Sequence, residues 1–137
     1  MGTILVVEDN VANLKLATLL LVHAGHRVLA AADAELGLTL ARSELPDLIL
    51  MDVQLPGMDG LAATVLLRLD PRTASIPIIA LTAMAMKADK VKSEAAGCDA
   101  HIAKPLRRGE LYGAIDMLLG SAASGAATSP ISAAVTI

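Results

Sequence analysis

Short apolar runs alternate five times with amphipathic stretches along this chain. The runs are Thr3-Ile4-Leu5-Val6-Val7, His26-Arg27-Val28-Leu29-Ala30-Ala31, Leu48-Ile49-Leu50-Met51-Asp52, Pro77-Ile78-Ile79-Ala80-Leu81-Thr82 and Asp99-Ala100-His101-Ile102-Ala103. Continuous apolar runs bounded by turn residues fit strands buried on both faces of a parallel sheet. A proline at the first residue of a strand is tolerated there. Helices are predicted between the runs. The first spans Val11 to Ala24, capped by Asp9 or Asn10 and stopped by Gly25. The second spans Ala34 to Arg42, with Asp33 as cap and Pro46 closing the segment. The third spans Leu61 to Leu69 after Asp59-Gly60 and is broken by Asp70-Pro71-Arg72. The fourth lies within Ala83 to Ala96, beginning near Met86 or Lys87 and ending at Gly97; the fifth spans Arg107 to Leu119. This alternation predicts an α/β fold with a parallel sheet and right-handed crossovers, but periodicity alone leaves the strand order open.

From Gly120 the composition turns to Ala, Ser, Gly and Thr, interrupted by Pro130. The expected organisation is one domain over residues 1–119 and a flexible tail over 120–137. Ile131 to Ile137 offers the alternative of pairing with a partner strand.

The first helix is apolar on more than one side. At about 100° per residue, Asn13, Leu16, Ala17 and Leu20 share one face, expected against the sheet. Val11, Leu14, Thr18 and Val22 share the opposite face, with Lys15 beside them. That second face is read as exposed, and an exposed apolar stripe marks a docking surface or scattered surface residues.

Composition narrows the function. A net charge of −3 argues against a nucleic-acid binder driven by phosphate attraction. Tyr112 is the sole aromatic residue, so platforms for stacking bases or a flavin are lacking. Cys98 stands alone, which excludes an internal disulfide, fits a reducing compartment and reads as small buried packing rather than a reactive thiol. No apolar stretch has the length of a secretory or membrane-spanning segment, and Met1-Gly2 lacks the downstream hydroxyl of a myristoylation signal. The expectation is a cytoplasmic protein that binds no membrane.

The chemistry gathers where the strands end. Their last residues bring Glu8, Asp9, Asp52, Thr82 and Lys104 to the carboxyl edge of the sheet, where open α/β sheets place ligands. Three carboxylates in one cleft repel one another. A divalent cation resolves the repulsion, and an all-oxygen donor set favours Mg²⁺ or Mn²⁺ over zinc. A metal, an ammonium and a hydroxyl around a carboxylate suit a phosphoryl group carried on that carboxylate as an acyl phosphate.

Val7-Glu8-Asp9-Asn10, Leu50-Met51-Asp52-Val53-Gln54-Leu55-Pro56-Gly57-Met58-Asp59-Gly60, Ala80-Leu81-Thr82-Ala83 and Ala103-Lys104-Pro105 resemble, in order and spacing, the motifs of response-regulator receiver domains. The resemblance covers Thr3 to about Leu119. It implies a doubly wound, flavodoxin-like (βα)5 fold with strand order 2-1-3-4-5. It implies a phosphoacceptor in a two-component phosphorelay, charged by a sensor histidine kinase or a histidine phosphotransfer protein. Asp52 is then the acceptor. Asp9, Asp52 and the Gln54 backbone carbonyl hold Mg²⁺, with Mn²⁺ as a substitute, and Glu8 acts through a metal-bound water. Lys104 and Thr82 contact the phosphoryl oxygens, and Ala83 offers its backbone N–H. The Lys104-Pro105 bond is expected to be cis.

One position departs from the pattern. His101 stands where the family usually carries an aromatic switch residue, so the expected switch pair is Thr82 and His101. His23 and His26 are read as surface polar groups. Met84 cannot orient water, so slow self-dephosphorylation is expected. The docking residues for the histidine-bearing partner are Val11, Leu14, Lys15 and Thr18. The output face, fourth helix to fifth helix, comprises Lys87, Lys90, His101, Arg107, Arg108 and Tyr112. No output domain follows, so the resemblance points to a single-domain regulator of the cell-division or chemotaxis type. It is no enzyme in the ordinary sense, although it assists its own phosphorylation and dephosphorylation. The alternatives are a receiver excised from a hybrid kinase and an aspartyl-phosphate phosphatase. The latter is disfavoured because Gln54 cannot act as the general acid.

Overall fold

The computed structural model describes residues 2–83 and 87–120; Met84 and the tail beyond Gly120 lie outside them. Contacts divide the chain into two units, Met1–Leu106 and Arg107–Ile137.

The first unit is a parallel sheet with helices in every crossover. Its elements are β1 (Thr3–Val7), α1 (Val11–His23), β2 (Arg27–Ala31), α2 (Ala34–Glu44), β3 (Leu48–Asp52), α3 (Gly60–Leu69), β4 (Ile78–Thr82), α4 (Lys87–Ala96) and β5 (Ala100–Ala103). The strand order is β2-β1-β3-β4-β5, all parallel, as the resemblance implied. The register pairs Val7 with Met51 and Asp52 with Leu81, so the strand ends line up along one edge.

Burial follows position in the sheet. Every residue of β3 and β4 is buried, whereas β2 and β5, at the edges, are only partly covered. One face of the sheet packs Leu5, Val7, Ile49, Met51 and Ile78 against Ala34, Leu38 and Ala41 of α2 and Ala63 and Leu67 of α3. Side-chain caps set the helix starts. Asn10, Asp33 and Asp59 each accept a hydrogen bond from the backbone N–H three residues on, at 3.0, 2.8 and 2.8 Å. The helix ends differ in kind. Gly25 and Gly97 take positive φ after α1 and α4, but α2 runs two residues past the expected Arg42 and stops at Leu45, whose φ of 47° is unusual for a side chain bearing a Cβ.

The predicted faces of α1 require correction. Ala17 and Leu21 are its buried residues, Leu16 is 37 % exposed, and Leu14 and Thr18 are half-buried rather than exposed. The buried stripe is rotated from the predicted one because both sides of this helix carry leucines. Hydrophobicity alone then gives the face no preferred direction. The outward apolar residues are Val11, Leu16, Leu19 and Val22.

In the second unit Arg107 precedes α5 (Arg108–Ile115), and Leu111 and Ile115 are buried. The helix then widens into a π-type turn over Asp116–Gly120, so the predicted helix of Arg107 to Leu119 is observed in two pieces, and Gly120 belongs to the turn.

Candidate functional site

Four of the five strands contribute side chains at the carboxyl edge. β1 ends at Val7, so Glu8 and Asp9 follow directly; β3 ends on Asp52 itself; β4 ends on Thr82; and Lys104 follows β5. Carboxylate oxygens of Glu8, Asp9 and Asp52 all lie within 4.8 Å of one another. Glu8 is 1 % and Asp52 2 % exposed, while Asp9 faces solvent. The Lys104 ammonium bridges the buried pair, with Nζ 2.8 Å from Asp52 Oδ2 and 2.9 Å from Glu8 Oε1.

Backbone groups complete the arrangement. The Gln54 N–H donates to Asp52 Oδ1 at 2.9 Å, and the Asn10 N–H donates to Glu8 Oε2 at 3.1 Å. The Lys104 N–H donates to the Thr82 carbonyl at 2.7 Å, tying the start of the lysine loop to the end of β4. The Lys104-Pro105 bond is cis, as expected. Thr82 is buried and Ala83 exposed.

The electrostatics follow from this crowding. Burial, with Asp52 alongside, raises the Glu8 carboxyl above its ordinary value, and the Lys104 and Asn10 hydrogen bonds only partly offset this. Burial pulls the Lys104 ammonium down, but its hydrogen bonds and charge contacts with Asp52 and Glu8 outweigh that and raise it. One ammonium faces three carboxylates, so negative charge is left over at an oxygen-only cluster. That is the donor chemistry of a hard divalent cation. The donor set of Glu8, Asp9 and Asp52 therefore fits Mg²⁺.

The structure thus brings Glu8, Asp9, Asp52 and Lys104 together, with Thr82 at the end of β4 beside them in strand order. His101 sits on β5 opposite Ala80, half-buried, with Nε2 enclosed and, among the described residues, without a hydrogen-bond partner. His26 is not a bare surface group, since its Nδ1 accepts from the Gly2 N–H at 3.2 Å. Cys98 is half-buried with its thiol raised by burial, which suits packing over reactivity. Of the α1 docking set, Val11 and Lys15 are exposed.

The sequence reading missed the wall of the site. Asn13 and Leu16 of α1, with Leu81 and Leu106, line a cleft beside Glu8 and Lys104. The available signal was spacing: Asn13 and Leu16 lie one helical turn apart, immediately above the end of β1.

Comparison with known proteins agrees with this geometry. The family model described as "Response regulator receiver domain" matches residues 4–116. The polar-differentiation response regulator DivK of Brucella anthropi is 40 % identical over 120 residues, covering 88 % of this chain and 98 % of the relative. A putative response regulator from Chloroflexus aurantiacus superposes with a TM-score of 0.84 at 34 % identity, covering 87 % of this chain and 98 % of the other. The receiver domain of a sensor histidine kinase from Pseudomonas aeruginosa PAO1 has a TM-score of 0.82 at 37 % identity over 87 % and 98 %, and that structure holds a magnesium ion in its active-site cleft. Among the described residues no helix is long and apolar enough to cross a membrane.

Proposed function

The chain belongs to the response-regulator receiver family of two-component signalling, and from that premise we propose that Asp52 is its phosphoacceptor. The observation that carries the reading is the Lys104 ammonium, shared between Asp52 and Glu8 inside a three-carboxylate cluster. Asp9, Asp52 and the Gln54 carbonyl hold Mg²⁺, or Mn²⁺ in its place, and Glu8 contributes through a bound water. The metal, when bound, supplies the positive charge that lets a phosphate approach three acids.

The chain's own residues do the rest. An Asp52 carboxylate oxygen forms a bond to phosphorus as the N–P bond of the donor's phosphohistidine breaks, and the donor imidazole takes up a proton as it leaves. The Gln54 N–H and Lys104 orient the carboxylate before transfer. Afterwards Lys104, the Thr82 hydroxyl and the Ala83 N–H receive the phosphoryl oxygens. Thr82 and His101 report the new charge. The enclosed Nε2 of His101, without a hydrogen-bond partner among the described residues, supports a ring that takes up partners during the switch.

The donor docks on α1 through Val11, Leu14, Lys15 and Thr18, with Val11, 79 % exposed, as the main contact. The output is protein contact through Lys87, Lys90, His101, Arg107, Arg108 and Tyr112, with no part for nucleic acid or membrane. The protein works in the cytoplasm as a signalling module over residues 1–119, and 120–137 is a tail. It turns over no substrate beyond assisting its own phosphorylation and dephosphorylation. Similarity to DivK favours a stand-alone regulator. Similarity to the kinase-borne receiver keeps a hybrid-kinase module as the second reading.

Beryllofluoride, a phosphoryl mimic, tests the assignment. With Mg²⁺ it is expected to perturb spectra of the wild type and to leave Asp52→Asn unchanged. A response that survives in Asp52→Asn, or that needs no metal, contradicts it.

A further inference from the structure

The C-terminal end of α4 is held by a device that lies apart from the carboxyl edge. Arg68, near the end of α3, directs all three of its guanidinium nitrogens to one junction. Its Nε donates to the Gly97 carbonyl at 2.9 Å, Nη1 to the carbonyls of Ala74 and Ile76 at 3.0 and 2.7 Å, and Nη2 to Asp99 Oδ2 at 2.7 Å. Asp99 Oδ2 also accepts from the Ile78 N–H at 2.9 Å, so the same carboxylate ties the starts of β4 and β5 to α3.

The clamp is tight sterically as well. Gly97 stops α4 with φ of 110°, and a Cβ there would stand 2.7 Å from Arg68 Cγ. One turn earlier on α3, the Thr64 hydroxyl meets the Cys98 sulfur at 3.9 Å. At its other end α3 abuts the acceptor strand, since a Cβ on Gly60 would overlap the Asp52 carbonyl oxygen. The helix is therefore a strut between β3 and the α4–β5 junction.

We propose that Arg68 is a positioning residue that pins the C-terminal end of α4, making it the fulcrum about which the N-terminal end, joined to Thr82, responds to phosphorylation. The proposal rests on the reading of Asp52 and Thr82 above. A planar fork satisfied by carbonyls from a loop and from the helix stop fixes a point rather than a face. Phosphoryl-driven motion then concentrates near residues 87–92 and fades toward Gly97.

Amide hydrogen exchange on the full chain, with and without beryllofluoride and Mg²⁺, tests this. In the wild type, beryllofluoride is expected to change exchange across 87–92 and to leave 94–100 within about twofold. In Arg68→Met, exchange at 94–100 of the free protein should rise about tenfold, and the beryllofluoride response should spread into that segment. Acetyl phosphate labelling should stay close to wild type, because Arg68 bonds to none of Glu8, Asp9 and Asp52. Arg68→Lys should give an intermediate result, and Asp99→Asn, which keeps the arginine, supplies an independent loosening of the same junction. Equal wild-type responses in the two segments, or unchanged exchange at 94–100 in the free variants, overturns the pin. Silence of the wild type toward beryllofluoride would instead contradict the acceptor reading, and the free-protein comparison still decides whether Arg68 holds the junction.

Discussion

The two edges of the sheet are built from the same kinds of residue and satisfy them differently. At the carboxyl edge, Glu8 and Asp52 are buried and share one ammonium. At the amino edge, the charges are matched. Arg68 meets Asp99 and three carbonyls, Asp70 pairs with Arg42 at 3.2 Å and Arg72 at 2.9 Å, and Asp47 accepts the Thr3 N–H at 2.7 Å. A satisfied network stabilises and stays put. A short-handed one keeps capacity for an added cation and an added phosphoryl group. The contrast separates the edge that works from the edge that holds.

The largest test removes the Lys104 ammonium from the working edge. Lys104→Met leaves Glu8 and Asp52 buried without a counter-charge, so metal-free stability should fall by about 3 kcal/mol in urea unfolding. Added Mg²⁺ should restore much of it, because a metal supplies the missing charge. Arg42→Met at the holding edge should cost well under about 1 kcal/mol, with no metal dependence. A similar loss at both edges would erase the distinction.

A second test enlarges the contact behind the acceptor. Gly60→Ala forces a methyl group onto the Asp52 carbonyl oxygen, and overpacking of this kind costs roughly 1–3 kcal/mol. The same change at Gly109, where a Cβ meets nothing within 4 Å, should be neutral or stabilising.

Acid titration distinguishes the edges by sign. Arg72 holds the Asp70 carboxyl down at about 2 against an ordinary 3.8. Between those values the unfolded chain binds more protons than the native one. Asp70's contribution is therefore whole above 3.8 and is lost as pH falls through about 2. Glu8 runs the other way. Its native carboxyl is raised above 4.5, so the native state binds more protons there and stability falls as pH rises from 4.5 through its native value. In metal-free buffer, Asp70→Asn should remove the acid-side loss and Glu8→Gln the higher-pH loss, each seen in unfolding midpoints across pH. A shared sign would break the comparison.

The smallest effect belongs to Leu45, 54 % exposed at positive φ. Leu45→Asn, which tolerates that backbone better, should stabilise by about 0.5 kcal/mol in thermal or urea unfolding. A loss of stability would show that Leu45 packs more than it strains.

Much of this was legible in the sequence because strands buried on both faces announce themselves and their last residues are fixed by chain order. Glu8, Asp9, Asp52 and Lys104 needed only the parallel arrangement to meet. Strand order needed the family resemblance, since no local pattern encodes which crossover goes where. The face of α1 was misjudged because Leu14, Leu16, Leu19, Leu20 and Leu21 ring the helix and packing alone chooses among them. The Arg68 clamp was illegible for another reason. Its partners are mostly backbone carbonyls of Ala74, Ile76 and Gly97, and carbonyls leave no trace in residue identity.

The central claim is that the working edge carries its phosphoryl group on Asp52. Incubation with acetyl phosphate and Mg²⁺, trapping of the acyl phosphate by borohydride reduction to the alcohol and peptide mapping by mass spectrometry reads that claim directly. The account predicts one reduced side chain, Asp52, absent without Mg²⁺ and absent in Asp52→Asn. Reduction at Glu8, at Asp9 or at no carboxylate would contradict it.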